Sequence, residues 1–259
     1  MLSKYHLDVL WKLKILPNFI EFKKDDIIMD AGCGDGYIGS QVAKKVANVV
    51  GVDWDILRIK RNEEIYNLNN LVFLHTHLGN LSIGEHSKRL SKLSFTKIIN
   101  LSALEHIEHP ETAIENFANL LTKNGELLLL VPLGPGNGCR ITKEFIITAV
   151  KKNLKIKEYK LIRAIPSLVQ LRMFIIKLQT FFGYKPEPEE NRYSENISFK
   201  LEKKQPLILW CYKVFVSLVI KPFIFLNRRK LFREDDSLIG MDNPDFMRRP
   251  IMIIKGIKG

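Results

Sequence analysis

Residues 27–39 read Ile27-Ile28-Met29-Asp30-Ala31-Gly32-Cys33-Gly34-Asp35-Gly36-Tyr37-Ile38-Gly39. Three apolar residues predict the end of a buried strand. An acid follows, and glycines then stand at alternate positions, before a helical pattern through Val42, Val46 and Val49. Glycines spaced this way let a backbone turn sharply from strand to helix and approach a ligand closely. The pattern is Asp-x-Gly-x-Gly-x-Gly, which is neither the Gly-x-Gly-x-x-Gly of dinucleotide binders nor the Gly-Lys-Ser/Thr loop of nucleotide triphosphatases. Asp30 bears on the ligand: a carboxylate repels a pyrophosphate there and attracts the ammonium group of an amino-acid-bearing nucleotide.

A second apolar run ending in an acid, Val49-Val50-Gly51-Val52-Asp53, follows at about the 20-residue distance at which open α/β sheets place a ribose-binding carboxylate. With Asp30-Ala31-Gly32-Cys33-Gly34-Asp35-Gly36 and Gly51-Val52-Asp53 at this separation, the chain resembles the class I S-adenosylmethionine-dependent methyltransferases. The resemblance implies an α/β fold, doubly wound around a mostly parallel seven-stranded sheet, with S-adenosyl-L-methionine as cofactor. It implies that Asp30, Gly32, Gly34 and Gly36 surround the methionine portion and that Asp53 holds the ribose. Cys33 belongs to the same loop as a small buried side chain rather than a nucleophile. Trp54 is a candidate to lie against the adenine, with packing as the alternative, and Leu101, ending the fourth strand, is a further cofactor-binding position. In that family an acid often follows the third strand and meets the adenine amino group. Here the nearest equivalents are His75, Thr76 and His77, a departure that leaves this contact to other groups.

The chain's 259 residues accommodate one large domain with an insertion, and 46% apolar content is enough for a packed core. Its three cysteines, Cys33, Cys139 and Cys211, show no Cys-x-x-Cys spacing, which argues against a disulfide framework or structural zinc and for a reducing, cytoplasmic setting. The first residues carry no small-residue cleavage site, so a secretory signal is not expected. A net charge of +12 calls for an anionic partner: nucleic acid, an anionic membrane face or a phosphorylated substrate.

Along the chain, residues 7–22 predict an amphipathic helix covering the sheet and 54–68 a second helix. Strands are expected at 71–74 and 97–101, with a short helix and loops over 79–94. Ser102-Ala103-Leu104-Glu105-His106-Ile107-Glu108-His109-Pro110 resembles the Leu-Glu-His-x-x-x-Pro signature of the methyltransferase subfamily that includes quinone, sterol and many small-molecule enzymes. It falls at the carboxyl end of a central strand, where open sheets carry their chemistry. A helix over 111–123, a turn at Asn124-Gly125, a strand over 126–131 and a glycine-rich loop follow. A helix over 141–152, a strand over 155–161 and a last strand over 250–256 complete the core. The division is thus a cofactor-binding core over 1–162, a helical insertion over 163–249 and the final strand in 250–259.

The insertion has two apolar segments, 165–182 and 206–226, joined by the polar stretch 183–190. Lys200, Lys203, Lys204, Arg228, Arg229, Lys230 and Arg233 flank the second, which contains Lys213, Lys221 and Pro222. A spanning helix needs ~20 predominantly apolar residues, whereas an in-plane interfacial helix has this mixture of aromatic, aliphatic and basic residues. The alternatives are a substrate cap and a homodimer surface.

Methyl transfer from a sulfonium requires mainly alignment of nucleophile, methyl and sulfur. A hydroxyl acceptor also benefits from a base, typically by ~10²–10⁴-fold. His106 is the first candidate, since neutral imidazole is available near pH 7; Glu105 and His109 follow. Glu105, His106, Glu108 and His109 lie too close together on one loop to read as a metal site. The leading expectation is O-methylation of a lipid, quinone, or lipid-linked or glycan-derived small molecule, met peripherally at the cytoplasmic membrane face. The alternatives are an RNA methyltransferase and a non-catalytic S-adenosylmethionine-binding subunit. Against nucleic acid, Asn100-Leu101-Ser102-Ala103 is unlike the Asn/Asp-Pro-Pro-Tyr/Phe of enzymes that methylate base amino groups.

Overall fold

A computed structural model describes residues 7–135, 140–164, 166–181, 210, 214–226, 232–234 and 249–259. The chain divides into two units, one of Met1–Ile15 and Ala164–Arg233, the other of Leu16–Arg163 and Glu234–Gly259.

The second unit is built on strands β1 (Ile27–Ala31), β2 (Asn48–Asp53), β3 (Leu71–His75), β4 (Phe95–Leu101), β5 (Leu121–Pro132), β8 (Lys155–Ala164) and β10 (Ile251–Ile257). They lie in the order β3-β2-β1-β4-β5-β10-β8, and a short eighth strand, β9 (Phe232–Glu234), ends the sheet. Pairing is parallel from β3 through β5, and β10 runs antiparallel to both β5 and β8. A two-stranded ribbon, β6 (Gly134–Pro135) with β7 (Arg140–Ile141), follows β5. This is the doubly wound, mostly parallel seven-stranded architecture that the motifs imply. The order reverses between β1 and β4, so their carboxyl ends border the crevice in which open α/β sheets bind ligands.

Near-continuous apolar strands meet burial on both faces: Ile98, Ile99, Leu129 and Val131 are fully buried, as are Ile114 and Phe117 of helix α5 (Pro110–Leu120). At the opposite, amino-terminal edge, Asp26 before β1 and Lys97 in β4 form a buried pair, the ammonium lying 2.6 Å from both carboxylate oxygens.

Several boundaries move. Helix α2 spans only Tyr37–Val42. Val46 and Val49 are buried, which is why they mimic a helical face, but Val49 already belongs to β2. Helix α3 runs Ile56–Ile65 because Asp55 caps it, accepting from the Leu57 and Arg58 N–H groups at 2.9 and 3.2 Å; Trp54 therefore precedes the helix. Helix α5 stops at Leu120, and Asn124-Gly125 is an irregularity inside β5. There Asn124 takes φ 61, its N–H donates to the Lys258 carbonyl, and the Lys258 N–H donates to that of Gly125. Only Ser87–Leu90 (α4) is helical within 79–94, and α6 (Lys143–Asn153) starts after its Thr142 cap.

In the first unit, α1 (Leu7–Ile15) ends short of the predicted residue 22; the 3₁₀ turn that follows it, Leu16–Asn18, already belongs to the second unit. The first apolar segment is helix α7 (Pro166–Phe181). Of the second, a π-helical turn (Val216–Ile220) and the helix α8 that continues it (Lys221–Leu226) are described, with Pro222 directly after the π-helical turn. The Phe174 and Phe215 rings lie 6.0 Å apart. No described helix is long and apolar enough to cross a membrane. The linker 183–190 and the basic flanks Lys200, Lys203, Lys204, Arg228, Arg229 and Lys230 lie outside the described residues.

Candidate functional site

The loop after β1 is pinned to β2 before any ligand is considered. The Gly32 and Cys33 N–H groups both donate to the Val52 carbonyl, at 2.8 and 2.9 Å, and φ is 77° at Gly32, 52° at Gly34 and 69° at Gly36. Two of these glycines have different grounds. A Cβ on Gly32 would stand 2.3 Å from the Ala103 Cβ, so the loop after β4 packs against its backbone. A Cβ on Gly34 would meet only the Arg58 guanidinium, at 3.6 Å; its backbone angle requires glycine, and its outer side is open.

Asp53 completes the loop from the end of β2. Its Oδ2 accepts from the Gly34 N–H at 2.8 Å and its Oδ1 from the Asp55 N–H at 3.0 Å. Burial pushes its carboxyl above the ordinary aspartate range, against the lowering effects of the Asp55 N–H, Arg58 and the Gly34 N–H. Arg58 also pairs with Asp55 at 3.3 Å. The Asn62 side-chain amide, buried on α3, donates to the Gly34 carbonyl at 2.8 Å. Asp30 is buried, and its Oδ2 lies 3.1 Å from where a Cβ on Gly39 would stand. The buried Cys33 thiol is pushed well up by burial and by Asp53 and Asp30, so it is held protonated and is no nucleophile. Asp30, Gly32, Cys33, Gly34 and Asp53 thus converge, and Trp54 follows with half its surface exposed.

After β3 the side chains are committed unequally. His75 Nε2 donates to the Trp54 carbonyl at 2.9 Å while Nδ1 accepts from the Glu85 N–H at 3.3 Å, so the hydrogen-bond network assigns the Nε2–H tautomer. The Thr76 N–H donates to the Asp53 carbonyl and its hydroxyl to that of His75. His77 Nδ1 is buried and has no hydrogen-bond partner among the described residues.

After β4, Asn100 fastens the second loop: its amide donates to the Ala31 carbonyl at 2.9 Å, and its Oδ1 accepts from the Leu104 N–H at 3.1 Å. Leu101 is buried at the strand's end. Leu104–His106 is a 3₁₀ turn in which Glu105 is buried and the His106 side chain is 41% exposed, with Nε2 3.9 Å from Glu105 Oε1. His109 is exposed and takes the N-cap position of α5 ahead of Pro110, without a side-chain capping bond. His106 and His109 are therefore open to solvent, unlike Glu105. No cluster able to hold a metal ion occurs among the described residues.

Asn62 and Asn100, which position both loops, carry no sequence motif. A polar residue ending an apolar strand is the one signal that marks Asn100, and Asn62 has none.

The donor set fits S-adenosylmethionine. Two buried carboxylates match an ammonium and a ribose diol, since Asp53 retains lone pairs beyond the two backbone bonds. The open side of Gly34 admits a ligand to the main chain. The Ser102 hydroxyl and His77 Nδ1 are buried polar atoms without partners among the described residues. Asp30, Gly32 and Gly34 would hold the methionine end and Asp53 the ribose; the bound cofactor supplies a methyl group on a positively charged sulfur.

Comparisons with known proteins agree. Residues 29–127 match the methyltransferase domain model Methyltransf_12. An uncharacterized methyltransferase of Mycobacterium tuberculosis is 26% identical over 108 residues, 42% of this chain and 51% of that protein. A tRNA U34 carboxymethyltransferase of Glaesserella parasuis is 26% identical over 172 residues, covering 63% and 50%. A ubiquinone biosynthesis O-methyltransferase of Hydrogenovibrio crunogenus is 29% identical over 120 residues, covering 43% and 47%. The chain spans about half the length of these curated relatives. The YcgJ protein of Bacillus subtilis has the same fold, with a TM-score of 0.53 at 14% identity over 95% of this chain and 97% of that one. The glycine loop, Asp53 and the loop after β4 thus lie within the stretch, residues 29–127, that is similar to a methyltransferase domain, and S-adenosylmethionine is the cofactor this likeness supports.

Proposed function

We propose that the protein transfers the methyl group of S-adenosylmethionine to an oxygen of a lipid, quinone, or lipid-linked or glycan-derived small molecule at a membrane surface. The observation that carries the transfer is the packing of the loop after β4 against Gly32, which sets the Glu105-His106 turn beside the cofactor loop. In this reading neutral His106 takes the proton from the acceptor hydroxyl as the oxygen attacks the methyl carbon. The buried Glu105 orients the imidazole and favours the imidazolium that forms. His109 serves the acceptor side. The similarity to the ubiquinone biosynthesis O-methyltransferase supports an oxygen acceptor.

Support for the membrane comes from the first unit, where Phe174, Trp210, Leu218 and Val219 are exposed, with Lys177 and Lys221 also exposed. Aromatic and aliphatic anchors mixed with lysines are the composition of an interfacial surface. A second reading, RNA methylation, draws on the net charge of +12 and on the similarity to the tRNA U34 carboxymethyltransferase.

Mass-spectrometric assay of quinone, lipid and glycan acceptors with S-adenosylmethionine tests the reaction. His106→Ala is expected to lower kcat by ~10²–10⁴-fold with unchanged affinity for S-adenosylhomocysteine; an unchanged kcat removes His106 as base. Charge reversal at Arg228, Arg229 and Lys230 is expected to release the protein from anionic vesicles. Failure of the wild type to sediment with them ends the membrane reading, and methylation of tRNA alone transfers the assignment to RNA.

A further inference from the structure

Ser102 combines two unfavourable features at one residue. It takes φ 58°, left-handed backbone that serine rarely adopts, and its hydroxyl is buried with no hydrogen-bond partner among the described residues. Asn124, the other described non-glycine residue of positive φ, sits in the β5 irregularity, where asparagine is tolerated. Ser102 instead lies between Leu101, the last residue of β4, and Ala103, which packs on Gly32. Its conformation is imposed from both sides. Its N–H donates to the Leu130 carbonyl at 2.8 Å, and Asn100 ties the preceding residue to β1 and the following turn to β4. Strained, unsatisfied residues that the surroundings over-determine collect at ligand sites.

We propose that Ser102 is a cofactor-binding residue whose hydroxyl hydrogen-bonds the amino-acid end of S-adenosylmethionine. The inference rests on the cofactor assignment above. Ser102 is itself only half-buried. Rotation about its Cα–Cβ bond breaks no hydrogen bond to a described residue, which leaves the hydroxyl available to a ligand. A serine hydroxyl donates to a carboxylate and accepts from an ammonium, the two groups that end the methionine portion beside Gly32.

Calorimetric titration with S-adenosylhomocysteine and with 5′-methylthioadenosine, which lacks the amino-acid end, tests this on wild type, Ser102→Ala and Ser102→Gly. Both variants are expected to bind S-adenosylhomocysteine about five- to twentyfold more weakly and methylthioadenosine as the wild type does. Ser102→Gly accommodates the positive φ and should melt above wild type, which separates lost binding from lost folding. Unchanged S-adenosylhomocysteine affinity in both variants, or an equal loss for both ligands, overturns the proposal. A wild type that binds neither ligand overturns the cofactor assignment together with it.

Discussion

Asn62 donates its side-chain amide to the carbonyl of Gly34 at 2.8 Å, while the N–H of the same glycine donates to Asp53. The two peptides that flank Gly34 in the glycine loop are thus gripped by the end of β2 on one side and by α3 on the other. Asn62→Ala leaves that carbonyl without its buried partner, at a cost of about 1–3 kcal/mol. The loop should loosen as well. Chemical denaturation and S-adenosylhomocysteine titration check this, and the expected result is a loss in both. Lost stability with full affinity would make Asn62 a packing residue only.

Asp53 makes a pH-dependent contribution to stability of defined sign. Burial raises its carboxyl above the ordinary aspartate range despite two backbone hydrogen bonds. A raised folded-state value gives stability that is full below the unfolded value and lost as pH rises through the folded one. The melting temperature of wild type relative to Asp53→Asn should accordingly be highest in acid and decline as pH rises above ~4. Asp53→Asn should also bind S-adenosylhomocysteine at least about tenfold more weakly, since amide nitrogen replaces an acceptor. A flat difference in melting temperature from acid to neutral pH would contradict burial as the leading cause.

The Asp26–Lys97 pair at the other edge of the sheet has the opposite sign. Burial alone would raise Asp26, but the Lys97 ammonium, the Lys23 N–H and the Thr96 hydroxyl together hold it below the ordinary range. Its contribution is present above the unfolded value and lost as pH falls through the depressed one. Lys97→Met leaves a buried unpaired carboxylate and should cost about 3–5 kcal/mol at neutral pH. Urea unfolding across pH 2–7 should also show this site's contribution reversing slope in the variant, because burial is then unopposed.

Gly51, beneath the Gly-x-Asp motif, is glycine for packing. A Cβ there would lie 2.7 Å from the Phe73 ring, so Gly51→Ala should destabilise by about 1–3 kcal/mol. Phe73→Leu frees that space, and in its background the alanine should cost less. Equal costs in both backgrounds, measured as a double-mutant cycle, would rule out the ring as the cause.

The elements that were legible in the sequence are those in which one residue's chemistry constrains its own backbone. Gly32, Gly34 and Gly36 have positive φ, and apolar runs became strands because both faces of a parallel sheet are buried. Boundaries failed where burial imitated periodicity: Val42, Val46 and Val49 are spaced like a helical face, yet the last is in a strand. The turn at Asn124-Gly125 was legible, but its enclosure within β5 was not, because Lys258, far along the chain, supplies the partners.

The sequence by itself determined the class of fold, the sharp glycine loop after β1 and the acid at the end of β2, since these depend on local backbone freedom and strand patterning. Only the tertiary structure decided that Asn62 and Asn100 fasten the two loops, that both ring nitrogens of His75 are spent on the protein, and that Glu105 is buried while His106 is exposed. Those outcomes depend on which main-chain groups distant segments bring within hydrogen-bonding distance, and residue type alone does not specify that geometry.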